Sequence, residues 1–514
     1  MRTALILAIA GTVLAAQQPA APPPFRVEET TIAQIHEAMK SGRLTCRALV
    51  DAYLKRIDAY DKNGPAINAI VQINPDAQKQ ADDLDRRFTQ GGLTGPLHCI
   101  PAIVKDNFET IGLQSAAGSL ALKGFVSNKD AFQVKRIKAA GAIVLAKSNM
   151  AEFAFSPYET VNSILPGYSR NPYALDRVTA GSSGGTAAAV AANFGAIGLG
   201  SDTGNSIRGP SSHQALAGIR STMGLTSRAG VVPLNLLADI AGPMTRTLED
   251  AVTVFQVIAG EDPDDAATAA SRGRPVPDYK QSLRRDALTG ARIGILRQAY
   301  ERATTDPEVV DVFMAAVEDL KRAGATIVDP VRVDLAGVQR AQGAGTCGGF
   351  KYDINRYLAA QGDRVPVHSL EEIIRSRVHP SIEARLRSAQ DGGENGPETP
   401  ACRAESQYRD AFRAAVTKAM DAERIDAFVY PTWSNPPRLI GDLNTPHGDN
   451  SQVFSPTTGW PAINVPMGYT RGTLPIGVTF FGRAWSEPAL IALAYSYEQA
   501  THHRRPPAST PPLR

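Results

Sequence analysis

The chain has 514 residues, of which 43% are hydrophobic, and its 54 basic and 51 acidic side chains leave a formal net charge of +3. This length and composition allow a substantial buried core in one large domain or two ordinary ones, and they exclude a disordered or fibrous protein. Both signs of charge are interspersed, and no run of five like charges occurs. Nucleic acid is therefore not an expected partner.

The N-terminus has the pattern of an export signal. Arg2 precedes an apolar stretch over 4–16, and a segment rich in Pro and Ala follows. We expect residues 1–16 to be a cleaved signal peptide, 17–24 a spacer and 25–514 the folded domain, in a periplasmic or secreted protein. The apolar stretch is too short to cross a bilayer of about 30 Å comfortably. Stable membrane insertion is not expected, and an uncleaved anchor is the alternative.

The periodicity of apolar residues predicts an α/β protein. Two amphipathic helices are predicted over 30–62, with Thr45 as the cap of the second. Short apolar runs then alternate with helical segments, and the alternation returns late in the chain; the predicted strands are 99–104, 142–146, 195–202, 291–297, 325–331, 426–432, 462–469 and 476–482, and the predicted helices are 130–141, 306–324 and 487–500. We predict a single large α/β/α domain with a mixed, mostly buried central sheet flanked by helices. Residues 261–279 and 388–401 are predicted to be surface loops.

The cysteines and histidines do not form ligand motifs. Cysteines 46, 99, 347 and 402 lack C-x-x-C spacing, and the histidines lack H-E-x-x-H spacing. We therefore expect neither a metal nor a cofactor. Export would permit disulfides in three connectivities, but the simpler expectation is four buried thiols.

Two serine motifs compete for a nucleophile. Gly181–Gly185 reads GSSGG and fits the G-x-S-x-G elbow with Ser183, but the segment before it contains Pro172 and does not suit a central strand. The other serine, Ser206, lies in the loop GSDTGNSIRGPSS without a histidine nearby. A lysine base is the alternative to histidine. Lys105 and Lys147 each end an apolar run, where burial would favour the neutral amine.

The segments CIPAIVKDN, KSNMAEFAF, TAGSSGGTAAAVAAN, GSDTGNSIRGPS and GWPAINVPMGY with LPIGVTFFGR together resemble the amidase signature family. The resemblance selects Lys105 over Lys147 and implies a Ser-cisSer-Lys unit, with Lys105 as base, Ser182 as bridging serine and Ser206 as nucleophile. It also implies an oxyanion hole formed by the backbone N–H groups of residues 203–206, which are Thr203, Gly204, Asn205 and Ser206. The expected reaction is hydrolysis of a carboxylic amide, or of an aryl amide, carbamate or ester, through an acyl-Ser206 intermediate.

Further residues receive roles from the same resemblance. Asp202 and Arg208 are expected to pair and hold the Ser206 loop, Ser183 to support Lys105 by hydrogen bonding, and Phe155 to line the substrate pocket. Tyr158 and Trp460 are additional candidates for aromatic walls. The chain departs from the family pattern at Asn205 and Ala180, where glycines are common; we expect Asn205 to tolerate a positive φ.

Two other functions remain open. One is an esterase of the α/β-hydrolase type that uses Ser183, and the other is a noncatalytic binding protein of the cell envelope. In the leading interpretation the partner is a small-molecule amide and the protein is a monomer or homodimer. Export argues against a role in tRNA-dependent transamidation, which some family members perform.

Overall fold

The computed structural model describes residues 25–513, except for 156–160, 163–166, 341–346, 393, 395, 443 and 447–451. The expected signal peptide and spacer, and Tyr158, lie outside the described residues. In the described part, no helix is both long and apolar enough to span a membrane.

Eleven strands form one mixed sheet, and two further short strands pair with each other. In chain order the strands are β1 Ile70–Ile73, β2 Pro101–Lys105, β3 Ile143–Ser148, β4 Val161–Asn162, β5 Gly167–Tyr168, β6 Ile197–Asp202, β7 Ala217–Arg220, β8 Ile240–Thr245, β9 Arg292–Ile295, β10 Thr326–Val328, β11 Ala427–Pro431, β12 Ala462–Thr470 and β13 Leu474–Phe481. The large sheet has the order β1-β3-β2-β6-β8-β7-β12-β13-β11-β9-β10. Strands β3, β2 and β6 are parallel to one another, as are β11, β9 and β10, and the remaining pairs are antiparallel.

Helices cover the sheet. They are α1 Ile32–Lys40, α2 Cys46–Ile57, α3 Ala77–Gly91, α4 Phe132–Ala139, α5 Gly184–Ala191, α6 Arg208–His213, α7 Leu248–Ile258, α8 Pro307–Arg322, α9 Phe350–Gln361, α10 Leu370–Arg375, α11 Pro380–Asp391, α12 Pro400–Glu423, α13 Phe454–Thr458 and α14 Glu487–Thr501. The predicted fold class is confirmed, and strands from both ends of the chain meet in the one sheet. Thr45 caps α2 by accepting a hydrogen bond from the Ala48 amide, as predicted.

The centre of the sheet brings the candidate residues together. Because β2 and β6 are parallel, with Val104 opposite Leu199, their carboxyl ends lie at the same edge of the sheet. Lys105 ends β2 and Asp202 ends β6 at this edge. Helix α5 is buried along its whole length, and its Gly and Ala residues are small enough to permit this. A Cβ on Gly185 would lie 2.2 Å from the carbonyl oxygen of Asn149, so only glycine allows this approach.

A second apolar cluster lies apart from the main core. It joins buried residues of 116–125 and Phe153 to helices α9, α10 and α11. We call residues 347–402 the helical cap, because a disulfide between Cys347 and Cys402 closes this segment and its residues line the cavity described below. The sequence patterns did not predict the cap helices.

Two sequence expectations are corrected by the structure. The four cysteines form two disulfides, Cys46–Cys99 and Cys347–Cys402, so the expectation of four thiols is wrong. The segments 261–279 and 388–401 are more than surface loops. Asp262 and Asp265 in the first segment are buried, and their carboxylates accept hydrogen bonds from the Ser227 hydroxyl and the Arg228 N–H. The second segment contains the end of α11 and the start of α12.

Candidate active site

The Lys105 amine lies inside the protein against two hydroxyl groups. Its Nζ is 2.7 Å from Ser182 Oγ and 2.9 Å from Ser201 Oγ, and the side chain is fully buried. The Asn107 amide also donates to Ser201 Oγ, at 3.0 Å. Ser201 and Asn107 were not selected from the sequence, although Asn107 lies in the VKDN motif and Ser201 lies beside Asp202 at the end of β6. Together they hold the amine in position beside Ser182.

Burial makes the Lys105 amine easy to deprotonate. Transfer out of water disfavours the ammonium ion and lowers the pKa of Lys105 to about 7, although Asp239 and Asp202 act in the opposite direction. A substantial neutral fraction is therefore present near neutral pH, and a neutral amine can accept a proton.

Lys147 is equally buried but has different partners. Burial lowers its pKa to about 8, while Asp106 opposes the shift. Its Nζ donates to the backbone carbonyl oxygens of Phe108, at 2.6 Å, and Gln114, at 3.1 Å. The Lys147 amine also donates to Ser115 Oγ, at 3.2 Å, but the Ser115 hydroxyl gives its own hydrogen bond to the Phe108 carbonyl oxygen. Lys147 therefore has the contacts of a structural residue.

The loop that carries Ser206 is clamped at both ends by an ion-pair network. The carboxylate of Asp202 accepts hydrogen bonds from Arg208 Nε at 3.1 Å and from Arg220 Nη1 at 3.0 Å. Although burial alone would raise it, the two guanidinium groups lower the pKa of Asp202 to about 2. Arg208 Nη2 also donates to the carbonyl oxygen of Gly204, at 2.5 Å. The structure thus brings Asp202 and Arg208 together as expected, and it adds Arg220, which tertiary folding brings in from β7.

Two backbone donors in this loop point to a site for negative charge. In the described part of the chain, the N–H groups of Gly204 and Ser206 donate to no protein acceptor. The neighbouring Thr203 is fixed instead through its side chain, whose Oγ1 donates to Asp239 Oδ1 at 2.5 Å. Free N–H groups held on a rigid loop can stabilise a developing oxyanion.

Ser182 and Ser206 lie in adjacent backbone segments. The Ser183 N–H donates to the carbonyl oxygen of Ser206 at 3.3 Å, which joins the loop to the start of α5. Among the described residues, the Ser206 hydroxyl forms no hydrogen bond with Ser182 or with any other group. The structure therefore contains the contact between Lys105 and Ser182 but not the hydrogen bond between Ser182 and Ser206.

The expected role of Ser183 is corrected. Its hydroxyl donates to the carbonyl oxygen of Ser201 at 3.1 Å and, among the described residues, forms no hydrogen bond with Lys105. Ser201 occupies the place expected for it. The segment before Ser183 is not a strand, and in the described residues no histidine hydrogen-bonds the Ser183 hydroxyl, so the nucleophile-elbow geometry is absent.

The two departures from the family pattern have different backbone consequences. The peptide bond between Gly181 and Ser182 is cis, and Ala180 before it has a φ of 58° in the left-handed region. Asn205 does not have a positive φ, so its expected tolerance of that conformation is not called on here. Strain falls on Ala180 instead, because a Cβ is disfavoured in that conformation.

A cavity of about 900 Å³ opens at Ser206. Its lining residues are Ala154, Phe155, Thr203, Gly204, Asn205, Ser206, Leu234, Asn235, Gly348, Gly349, Phe350, Lys351, Ala384, Arg385, Ser388, Ala389, Gly392, Trp433 and Gln452. Phe155 is in the wall as expected and packs edge-on against Phe350, with 4.9 Å between ring centroids. Trp460 does not line the cavity. It stacks on Phe481 in the core, next to the start of β12. Trp433 supplies an aromatic wall of the cavity, which was not predicted from the sequence.

The described residues offer no site for a metal ion. In that part of the chain, no group of at least three His, Cys, Asp or Glu side chains could hold one. Among the described residues, the titratable side chain that hydrogen-bonds Ser182 is that of Lys105.

Comparison with known proteins shows extended similarity. A family model described as Amidase matches residues 48–491. The chain is 34% identical over 508 residues to a probable amidase of Arabidopsis thaliana, covering 94% of this chain and 92% of the relative. It is 32% identical over 489 residues to a glutamyl-tRNA(Gln) amidotransferase subunit of Acinetobacter baumannii, covering 92% and 96%. The solved native peptide amidase from Stenotrophomonas maltophilia superposes with a TM-score of 0.81 at 35% identity, covering 93% of this chain and 98% of that one.

The lowered pKa of Lys105 predicts how Ser206 responds to pH. As pH falls through about 7, the amine gains a proton and can no longer draw one from the serine hydroxyls. We expect the rate at which a fluorophosphonate probe modifies Ser206 to fall about tenfold per pH unit below that value. Time-resolved labelling across the acidic and neutral range measures it, with Ser206→Ala as the blank. A rate that stays constant well below neutral pH contradicts the assignment of Lys105 as the controlling group.

The positive φ of Ala180 predicts a stabilising substitution. Glycine adopts this conformation without the steric cost that alanine bears, so Ala180→Gly should raise the free energy of unfolding by about 1 kcal/mol. Urea denaturation measures the change. Ala188→Gly in the interior of α5 is the matched control and should lower stability by about 1 kcal/mol or more. Equal destabilisation in both variants would show that Ala180 is not strained.

Proposed function

The chain belongs to the amidase family and is an amide-hydrolysing enzyme, and we propose that it acts through an acyl intermediate on Ser206. The observation that carries this proposal is the buried Lys105 amine, with a pKa lowered to about 7, at 2.7 Å from Ser182 Oγ. A neutral amine in this place can serve as the base that a serine nucleophile needs, without a histidine.

The proton path that we propose has two transfers. The Ser182 hydroxyl gives its proton to Lys105 Nζ as Ser182 Oγ takes the proton of Ser206. The Ser206 oxygen attacks the carbonyl carbon of the substrate, and an O–C bond forms. When the tetrahedral intermediate collapses, the C–N bond breaks and the relay returns the proton to the departing nitrogen. Water then repeats the sequence on the acyl ester and regenerates Ser206 with release of the carboxylic acid.

The proposed path needs a hydrogen bond between Ser182 and Ser206 that the structure does not contain. Catalytic hydrogen bonds are often long or absent in the free enzyme and form when substrate binds. The backbone of Ser206 is already joined to Ser183, so we propose that rotation of the Ser206 side chain forms this hydrogen bond. Substrate in the cavity would confine the hydroxyl to the orientation that meets Ser182.

Charge on the substrate oxygen is stabilised, in this proposal, by the loop at 203–206. The N–H groups of Gly204 and Ser206 supply donors, and the clamp of Asp202 by Arg208 and Arg220 keeps them in place. Loss of one such donor typically reduces the rate about 10²- to 10³-fold. The loop shape is therefore as important as the nucleophile.

The substrate is proposed to be a small molecule that carries a carboxylic amide, with aryl amides, carbamates and esters as related candidates. A cavity of about 900 Å³ is at the upper end of the range that holds drug-sized ligands. The protein is proposed to act as a monomer or a homodimer. The noncatalytic alternative gives no reason for a buried lysine amine beside a serine hydroxyl.

Substitution of the two competing serines separates the proposed mechanism from the elbow alternative. Ser206→Ala should lower kcat by at least about 10³-fold, because the acyl intermediate cannot form. Ser183→Ala should keep most of the activity, since its hydroxyl contacts only the Ser201 carbonyl in the described residues. A hydrolysis screen over anilides, primary fatty amides, peptide amides and carbamates provides the measurement. Loss of activity in Ser183→Ala with retention in Ser206→Ala would overturn the proposal.

We also propose that the protein is exported to the periplasm or secreted. The N-terminal pattern supports export, and the two disulfides support an oxidising compartment, because such bonds are rare in the reducing cytosol. Aminoacyl-tRNA would then be out of reach. The similarity to an amidotransferase subunit is accordingly not taken as a similarity of substrate.

Export can be tested by fractionating cells that express the full-length chain. We expect the enzyme outside the cytoplasm with residues 1–16 removed, and no free thiol before reduction. Mass spectrometry of the mature N-terminus and thiol titration in denaturant provide the two readouts. A chain of unchanged mass in the cytoplasm, with titratable cysteines, would contradict the proposal.

A further inference from the structure

The charged side chains of the cavity wall all have one sign. Lys351 in α9 and Arg385 in α11 are the cations, and among the lining residues that the structure describes there is no Asp or Glu. The two helices pack against each other within the helical cap. Both cations therefore lie in the part of the cavity wall that the helical cap supplies.

Neither cation has a carboxylate partner in the described ranges of the chain. The Lys351 amine donates instead to the backbone carbonyl of Gln390, at 3.0 Å. Arg387, two residues from Arg385 on the same helix, differs in this respect. Its guanidinium binds Glu383 at 2.7 Å outside the cavity lining. Among the described residues, the arginine outside the cavity is thus paired with an anion, and the one that lines it is not.

The cavity changes in character from one end to the other. Ser206 is only 5% exposed, Lys351 is partly exposed and Arg385 is exposed, so the nucleophile is at the buried end and Arg385 lies toward the mouth. Phe155, Phe350 and Trp433 supply aromatic surface in the same cavity. A ligand that fills it would present its amide to Ser206, an apolar body to the rings and its far end to the cations.

We propose that Lys351 and Arg385 form a subsite for a carboxylate, so that the preferred substrate is an amide whose end remote from the scissile bond is anionic. This proposal rests on the proposed function, because it assigns a specificity to the cavity that Ser206 serves. A guanidinium binds a carboxylate through two parallel hydrogen bonds, and a lysine amine adds a point charge. In a partly enclosed cavity this attraction is screened less than on an open surface.

The test uses matched substrates that differ in one group. Anilides and primary amides of equal length are prepared with a terminal carboxylate or with its neutral methyl ester, the charge being on the acyl side in one series and on the leaving group in the other. We expect the wild-type protein to prefer the carboxylate in at least one series by about tenfold in kcat/KM, mainly through KM. The preference should shrink as salt concentration rises.

Variants of Lys351 and Arg385 test whether these two residues cause the preference for the carboxylate substrate. Arg385→Gln should remove most of it by lowering kcat/KM for the carboxylate substrate much more than for the neutral ester, and Lys351→Met should act in the same direction. Charge reversal in Arg385→Glu should favour an amine-terminated substrate over the carboxylate. Arg387→Gln is the matched control, because it removes an arginine from the same helix but outside the cavity, and it should leave the preference intact.

The outcomes distinguish failure of this proposal from failure of the proposed function. If the neutral esters are hydrolysed and Ser206 reacts with a fluorophosphonate, but carboxylate and ester substrates are equal in the wild type, the carboxylate subsite is overturned and the mechanism stands. A preference that persists in Arg385→Gln and in Lys351→Met also overturns it. If no substrate is hydrolysed and Ser206 is not labelled, the proposed function itself is overturned, and the subsite with it.

Discussion

The structure depends on a lysine amine that is kept out of water. Lys105 ends a central strand whose residues are all buried, and the amine meets hydroxyl groups there in place of a carboxylate. Burial without an ion-pair partner lowers the pKa of the amine toward neutral pH, so the cost of desolvation is what makes it a base. An adjacent carboxylate would stabilise the ammonium ion and remove this property. The nearest acids act differently, since Asp202 is neutralised by two arginines and Asp239 binds Thr203.

Much of the fold could be predicted from the sequence, because its main elements have a simple periodicity. The continuous apolar runs that form β2, β3 and β6 and the amphipathic segments that form α1, α2 and α8 follow from local patterns. The helical cap does not. Helices α9, α10 and α11 each bury two or three large apolar residues, and these pack on a cluster from 116–125 and Phe153 that is far away in the sequence, so their packing depends on tertiary contacts. The polar composition of 388–401 predicts a surface loop, yet Ser388, Ala389 and Gly392 line the cavity.

The candidate site shows the same division between local and tertiary information. Lys105 and Lys147 both end apolar strands, and burial lowers the pKa of each, so burial alone could not distinguish them. What differs is the set of partners. The Lys105 amine lies 2.7 Å from Ser182 Oγ, whereas the Lys147 amine donates to two backbone carbonyl oxygens and to Ser115, whose hydroxyl is itself bonded to one of those carbonyls. Only the family motif selected the first from sequence. Ser201 and Arg220 were missed because their roles arise from the pairing of strands distant in the chain.

The cap and the catalytic loop are physically connected, although they differ in chemistry. Asp353 in the cap accepts a hydrogen bond from the Leu236 N–H at 2.8 Å. Three residues further on, the Asp239 carboxylate accepts from the N–H groups of residues 234 and 235 and from Thr203 of the nucleophile loop. A displacement of the cap would therefore shift the loop that carries the backbone donors. The Cys347–Cys402 disulfide limits such displacement, since it links two residues 55 positions apart and so restricts the conformations that the segment could adopt on opening. The sheet thus positions the reacting groups, while the disulfide-closed cap forms part of the cavity that a substrate must enter to reach them.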